Sequence, residues 1–218
     1  MKKISVYGSS YSDICLLLGS VLAELGEKVE MLVTDPEAQL WYYMPKVRGS
    51  EKGDIGELGK IGFIRSSDEI ADDTTYLFEI CGLKPAKKKI YDINRFVMVV
   101  TGEEPEILHK LDILDASGEF VTSDSTHRFI VLRDCMGMLT KGRSWAKPEN
   151  VGRIFELRGN RRDRRAELYL ALREDMSYQR VSERFGSFIE KLVCIVRETT
   201  TVKEFEAAYR KTMKGGYL

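Results

Sequence analysis

The sequence predicts an α/β fold: a doubly wound, mostly parallel sheet with helices on both faces. Three observations carry that prediction. Val6 to Pro36 reads strand, loop, helix, strand within about 30 residues, which is a βαβ unit. Phe96-Val97-Met98-Val99-Val100-Thr101 is a continuous apolar run, as expected of a parallel strand buried on both faces. Strand-like and helix-like stretches then alternate along the rest of the chain.

The elements follow in order. Ile4-Ser5-Val6-Tyr7 alternates and stops at Gly8, a first strand. Ser10 and Asp13 fit a capping box, with Asp accepting in place of Glu. Ile14 to Leu25 is apolar on nearly every side, so a well-buried helix is predicted, ended by Gly26. Val29 to Val33 is a second strand closed by Asp35-Pro36. Leu40-Trp41-Tyr42-Tyr43-Met44 is an aromatic knot, and Gly49 to Gly59, glycine-rich and charged, reads as an exposed loop. Ile61 to Arg65 is a short strand and Ser67 to Ile70 a short helix or turn. Thr74 to Ile80 and Phe96 to Thr101 are strands, and Glu103 to Leu114 is a helix with acids in its first turn, where the dipole favours them. Phe129 to Leu132 and Ile154 to Leu157 are strands. Arg164 to Asp175 and Val181 to Leu192 read as helices, with Val193 to Val196 as a last strand. Thr201-Val202-Lys203-Glu204 is a capping box opening a C-terminal helix that ends at Gly215-Gly216.

Composition bounds the function. The 218 residues are 43% hydrophobic and 31% charged, as in an ordinary globular protein. That length suits a single α/β domain over residues 1–218, with residues 198–218 forming its C-terminal helix. Lys+Arg and Asp+Glu both number 34, so no global charge draws the chain to nucleic acid or anionic lipid. Cys15, Cys81, Cys135 and Cys194 are far apart in apolar settings, without metal spacing, and read as buried free thiols in a reducing compartment. Met1-Lys2-Lys3 leads straight into a strand-like run, so neither a signal peptide nor a membrane span is expected. The expected location is cytoplasmic, or peripheral to a membrane assembly.

The stretch from Gly8 to Pro36 resembles the deviant-Walker P-loop ATPases of the MinD/ParA family. That family runs from a strand through KGGVGKTT, along a helix ending LAxxG-x-KV, into a strand ending DxDP. Leu22 to Val29, "LAELGEKV", and Asp35-Pro36 fall at the matching distance. This register places Gly8 on a family glycine, Ser10 on the glycine before the lysine, and Tyr11 on the P-loop lysine itself. Ser12 and Asp13 take the two hydroxyl positions, Val6 the signature lysine, and Val33 the first aspartate. "YLFEICG" is similar to hhhhDxxG, with Glu79 for Asp and Gly82 kept. "YDINRFVMVVTGEEPEILHKLDIL" resembles the segment in which an aspartate precedes a strand, a threonine-containing loop and a helix. Arg133 ends the strand where the family has a base-reading asparagine. The resemblance spans roughly residues 1 to 135 and implies a degenerate nucleotide site at Gly8, Ser9, Ser10, Tyr11, Ser12, Asp13, Asp35, Glu79 and Gly82.

Chemistry argues against a working site. A P-loop needs backbone N–H groups and a lysine on the phosphates, and a hydroxyl and an acid for Mg²⁺. Tyr11 supplies no cation. Asp13 puts a negative charge where a phosphate would sit, and two like charges about 4 Å apart repel by about 4 kcal/mol at an effective dielectric near 20. A side chain replaces the phosphate as the helix's anion. No catalytic residue and no cofactor is expected, with ATP–Mg²⁺ as the alternative.

Other constellations are thinner. A dinucleotide-binding reading, with Asp35 on a ribose, needs G-x-G-x-x-G, and only Gly8 is present. His109 and His127 lack ligand-spaced partners and read as surface or hydrogen-bonded structural residues. Glu79 reads equally as an active-site acid and as a cap or loop anchor. Lys84, Lys87, Lys88 and Lys89 form one basic cluster. Arg158, Arg161, Arg162, Arg164 and Arg165 form another, five arginines in eight residues. Arginine forks suit an acidic protein surface, anionic lipid or a DNA backbone, and a protein partner is favoured.

The resulting expectation is a MinD/ParA-like adaptor or positioning protein whose catalytic machinery has decayed, a pseudo-ATPase. In losing the P-loop lysine it is similar to the TadZ/CpaE-type proteins of Tad/Flp pilus and secretion systems. That likeness implies protein partners, a homodimer among them, at the base of an assembly machine. The alternative is a nucleotide-binding ATPase, or a small-molecule enzyme using Glu79 or Asp35.

Overall fold

In chain order the elements are β1 (Lys2–Gly8), α1 (Ser12–Glu24), β2 (Val29–Val33), β3 (Ile55–Leu58), β4 (Ile61–Ile64), β5 (Tyr76–Gly82), β6 (Arg95–Thr101), α2 (Pro105–Ala116), β7 (Arg128–Arg133), β8 (Arg153–Leu157), α3 (Glu183–Val196) and α4 (Val202–Met213). The computed structural model describes residues 1–33, 40, 55–58, 60–86, 95–134, 142–159, 163 and 181–214. The strands hydrogen-bond in the order β3-β4-β2-β5-β1-β6-β7-β8. β1–β6, β6–β7, β7–β8 and β2–β4 pair in parallel, and β3 pairs antiparallel with β4. The chain winds from β1 toward β2 on one side and from β6 to β7 on the other. That reversal is what makes a sheet doubly wound, and the arrangement is compatible with a P-loop NTPase-like fold.

The chain divides into two units, Met1–Tyr11 with Phe78–Gly159, and Ser12–Leu77 with Asn160–Leu218. In the first, Tyr7, Val97, Val99, Ile130 and Leu132 pack with Leu108, Leu111 and Leu114 of α2. The spacing of those three leucines puts them on one helical face. Trp145 is fully buried in the same cluster, and its indole N–H reaches Asp112 Oδ1 at 2.8 Å. Burying a tryptophan requires such a partner for the N–H.

In the second unit α1 is buried from Ser12 through Ala23, as its all-round apolar sequence requires. A Cβ on Gly19 would stand 2.7 Å from Met31 Cε, so glycine lets α1 lie close to β2. Ser182 opens α3 by accepting the Phe185 N–H at 3.1 Å. Thr201 and Glu204 form the expected capping box of α4. A Cβ on Gly186 would lie 2.6 Å from the Tyr209 hydroxyl, which brings α3 and α4 close at that residue.

Three expectations are corrected. Ile55–Leu58, inside the stretch expected as an exposed loop, is a strand paired with β4. Its four residues are too few for periodicity to register. Val193 to Val196 continues α3 instead of forming a last strand. Phe185, Phe188, Ile189, Leu192, Val193 and Val196 are all buried on one helical face, a period-3.6 pattern that overrides the short apolar run. The same helix turns Cys194 outward, so this thiol is exposed while Cys15 and Cys81 are buried. The expected helix over Arg164 to Asp175, the Trp41–Met44 knot and Cys135 lie outside the described residues.

Candidate functional site: a loop filled by its own chain

β1 ends at Gly8, whose φ of +104° is open to glycine alone. A Cβ there would come 1.7 Å from Val100 O at the end of β6, so the backbone approach also demands glycine. The Ser9 N–H donates to that carbonyl at 3.0 Å. Ser10 follows in the left-handed region, φ +53°, and its carbonyl accepts from Arg133 Nη1. Tyr11 is 5% exposed. Its hydroxyl stands 3.6 Å from where a Cβ on Gly82 would be. The first unit thus assembles Gly8, Ser9, Ser10, Tyr11 and Gly82 with Val100 and Arg133.

The loop passes into the second unit after Tyr11. There α1 begins at Ser12, which leaves Tyr11 in the N-cap position. The expected Ser10–Asp13 capping box is therefore displaced: Ser10 lies one residue too early and its backbone is drawn to Arg133. The buried Asp13 carboxylate instead accepts the Ile14 N–H, Oδ1 to N 2.9 Å, placing an anion on the helix's first turn. The Cys15 thiol is held well above its ordinary pKa by burial first and by the Asp13 charge second. Ser12 is 1% exposed, and its hydroxyl has no hydrogen-bond partner among the described residues.

Glu79 stands elsewhere on the first unit. It is buried, with Lys3 Nζ 2.9 Å from its Oε2 and the Ser5 hydroxyl donating to the same oxygen at 3.0 Å. Ser5 precedes Gly8 by three residues, about 10 Å along a strand, so Glu79 is not brought to the loop. Its side-chain contacts, Lys3 and Ser5, both belong to strand β1.

The network around Glu79 escaped the sequence reading. Arg95 Nε donates to Ser5 Oγ at 3.0 Å, and its Nη2 donates to the Tyr7 hydroxyl at 2.9 Å and to Glu119 O at 3.0 Å. The Tyr7 hydroxyl in turn donates to Glu119 Oε2 at 2.9 Å, an oxygen that also accepts the Ala86 N–H at 3.1 Å. Two cations and two carboxylates thereby meet inside the protein, as buried charges must. The available signal was Lys3, Ser5 and Tyr7 alternating with Ile4 and Val6, which puts three polar groups on one strand face. Burial raises the Tyr7 hydroxyl far above its ordinary pKa.

No family model matches the chain, and no curated protein matches it.

Asp35, Arg161, Arg162, Arg164, Arg165 and Lys87 to Lys89 lie outside the described residues. Arg158 and Lys84 are exposed. His109 is exposed on α2, and the His127 ring lies 4.5 Å from that of Phe96. Among the described residues no group of three or more His, Cys, Asp or Glu could hold a metal ion. None of the described helices is long and apolar enough to cross a membrane.

Proposed function

We propose that this chain is a catalytically degenerate P-loop-fold adaptor or positioning protein that acts through protein contacts and hydrolyses no ATP. The supporting observation is that the loop's groups are taken by the chain itself. The Ser9 N–H is bonded to Val100 O, Tyr11, which the resemblance aligns with the lysine, is buried, and the Asp13 carboxylate accepts the Ile14 N–H. A phosphate would find neither the cation nor that amide.

The finer proposal is a TadZ/CpaE-like role in a pilus or secretion assembly, where a pseudo-ATPase serves as a localisation hub. The proposed docking surface is Arg158 with Arg161, Arg162, Arg164 and Arg165, for an acidic protein partner. A second copy of the chain, a membrane surface and DNA are the other occupants to test against it.

One observation favours the second reading, a nucleotide-binding protein. The Ser12 hydroxyl, without a partner among the described residues, occupies a position where a P-loop hydroxyl would meet Mg²⁺. Thermal melting with and without ATP–Mg²⁺ separates the readings. The adaptor reading predicts no shift. Ligand at 100 times its Kd adds about 2.7 kcal/mol, and a rise of that order would establish nucleotide binding instead.

A further inference from the structure

Only two non-glycine residues among those described have positive φ, Ser10 at +53° and Asp134 at +55°. Such conformations are costly for residues with a side chain and persist where surrounding bonds hold them. Both lie at C-terminal strand ends of the first unit, Ser10 beyond β1 and Asp134 beyond β7.

One dipeptide connects them. Arg133 Nη1 donates to Ser10 O, and the Asp134 carboxylate accepts the Gly159 N–H. The Asp134 N–H donates to Leu157 O at 2.8 Å, so the dipeptide is tied to the end of β8 by backbone as well. A side chain at position 159 would make the Asp134 carboxylate shift. A Cβ on Gly159 would come 2.5 Å from Asp134 Oδ1 and 2.7 Å from Oδ2. On the other side, the Ser9 N–H bond to Val100 O fixes the same loop to β6. A continuous line of bonds therefore runs from the end of β8, across β7, to the loop after β1.

We propose that Arg133–Asp134 is a two-ended clasp that couples the chain at Arg158–Gly159 to the Ser9–Tyr11 loop, so that releasing one end loosens the other. Asp134 holds its left-handed conformation through its carboxylate and amide bonds at β8. Those bonds fix the end of β7, and with it the backbone from which the Arg133 side chain leaves to reach Ser10 O. Arg158 is the first of the five clustered arginines, so an acidic partner docking there would act on one end of the clasp. The coupling itself does not depend on whether the loop binds nucleotide or which partner docks.

Hydrogen exchange on the full chain, read peptide by peptide, tests the clasp. Asp134→Ala removes the carboxylate. The expected result is exchange at Ser9–Tyr11 roughly 5–30-fold faster, the loss of one or two kcal/mol of local protection, with the β6 amides unchanged. Asp134→Asn keeps both an acceptor and tolerance of positive φ, and is expected to exchange as the wild type does. If Asp134→Ala speeds exchange at Gly159 and leaves Ser9–Tyr11 at the wild-type rate, the two ends are independent and the proposal fails. If Asp134→Ala also loosens β6, Arg133→Met decides. It releases the loop end and leaves Asp134 in place, so faster exchange at Gly159 supports the clasp and an unchanged rate there overturns it.

Discussion

Lys3 Nζ and Glu79 Oε2 lie 2.9 Å apart, and both side chains are under one-tenth exposed. Removing one member of such a pair leaves an uncompensated buried charge, which costs about 3–5 kcal/mol. Glu79→Leu should lower stability by that order in denaturant unfolding. Adding Lys3→Met should restore a large part of it, since the orphaned ammonium goes with it. Additive losses would mean that the two charges are not coupled.

Stability should fall at alkaline pH. Burial raises the Cys15 and Cys81 thiols above their ordinary pKa, and pushes Tyr76 and Tyr209 up to about 12. In each case the folded state favours the protonated, neutral group. The unfolded chain ionises first, its thiols near pH 8.5 and its phenols near pH 10. The contribution is complete below those values and is lost as pH rises toward the folded pKa. Urea midpoints measured at intervals from pH 7 to 11 should be level and then decline above about pH 9. A midpoint that rises over that range contradicts the assignment.

Thiol chemistry should divide along the same lines. Cys194 is exposed on α3, whereas Cys15 and Cys81 are buried. An alkylating reagent applied to the native protein should label Cys194 and spare Cys15 and Cys81 until denaturant is added. Peptide mapping reads the result, and native labelling of Cys15 would mean that α1 opens readily.

The two helix caps differ in reach. Thr201 serves α4 alone, through its exposed box with Glu204. Ser182 caps α3 and also donates to Asp163 Oδ2 at 2.8 Å, while its N–H reaches Asp163 Oδ1 at 2.6 Å. Thr201→Ala should cost about 0.5–1 kcal/mol. Ser182→Ala should cost more, because it leaves a buried carboxylate short of a donor. Equal losses in thermal melts would show that the Asp163 bond adds nothing.

Much of the fold was legible because its elements carry strong periods and end signals. β6 was plain from six consecutive apolar or β-branched residues, α4 from its capping box, and α1 from apolar residues on every side with Gly26 beyond. The failures were local. Ile55–Leu58 is a short strand beside a turn, and its pairing with β4 is a tertiary fact. Val193 to Val196 has the composition of a strand, and only its phase with Phe185, Ile189 and Leu192 marks it as helix. At the candidate site, the turn after β1 was legible from Gly8. Arg133 and Val100 were not, because they are far from Ser9 and Ser10 in sequence and meet them only when β1, β6 and β7 are assembled. The Arg95–Tyr7–Glu119 cluster was hidden for the same reason.

The central claim is that the chain supplies its own anion to the start of α1. Melting of Asp13→Ala beside wild type tests it most directly. Asp13 accepts the Ile14 N–H at 2.9 Å and is buried, so its loss should destabilise the protein by about 0.5–2 kcal/mol, as loss of a helix cap does. A variant that melts with the wild type, or above it, and whose melting temperature then climbs with ATP–Mg²⁺, would contradict the account: the acid would serve only to keep nucleotide out of a site that is otherwise intact.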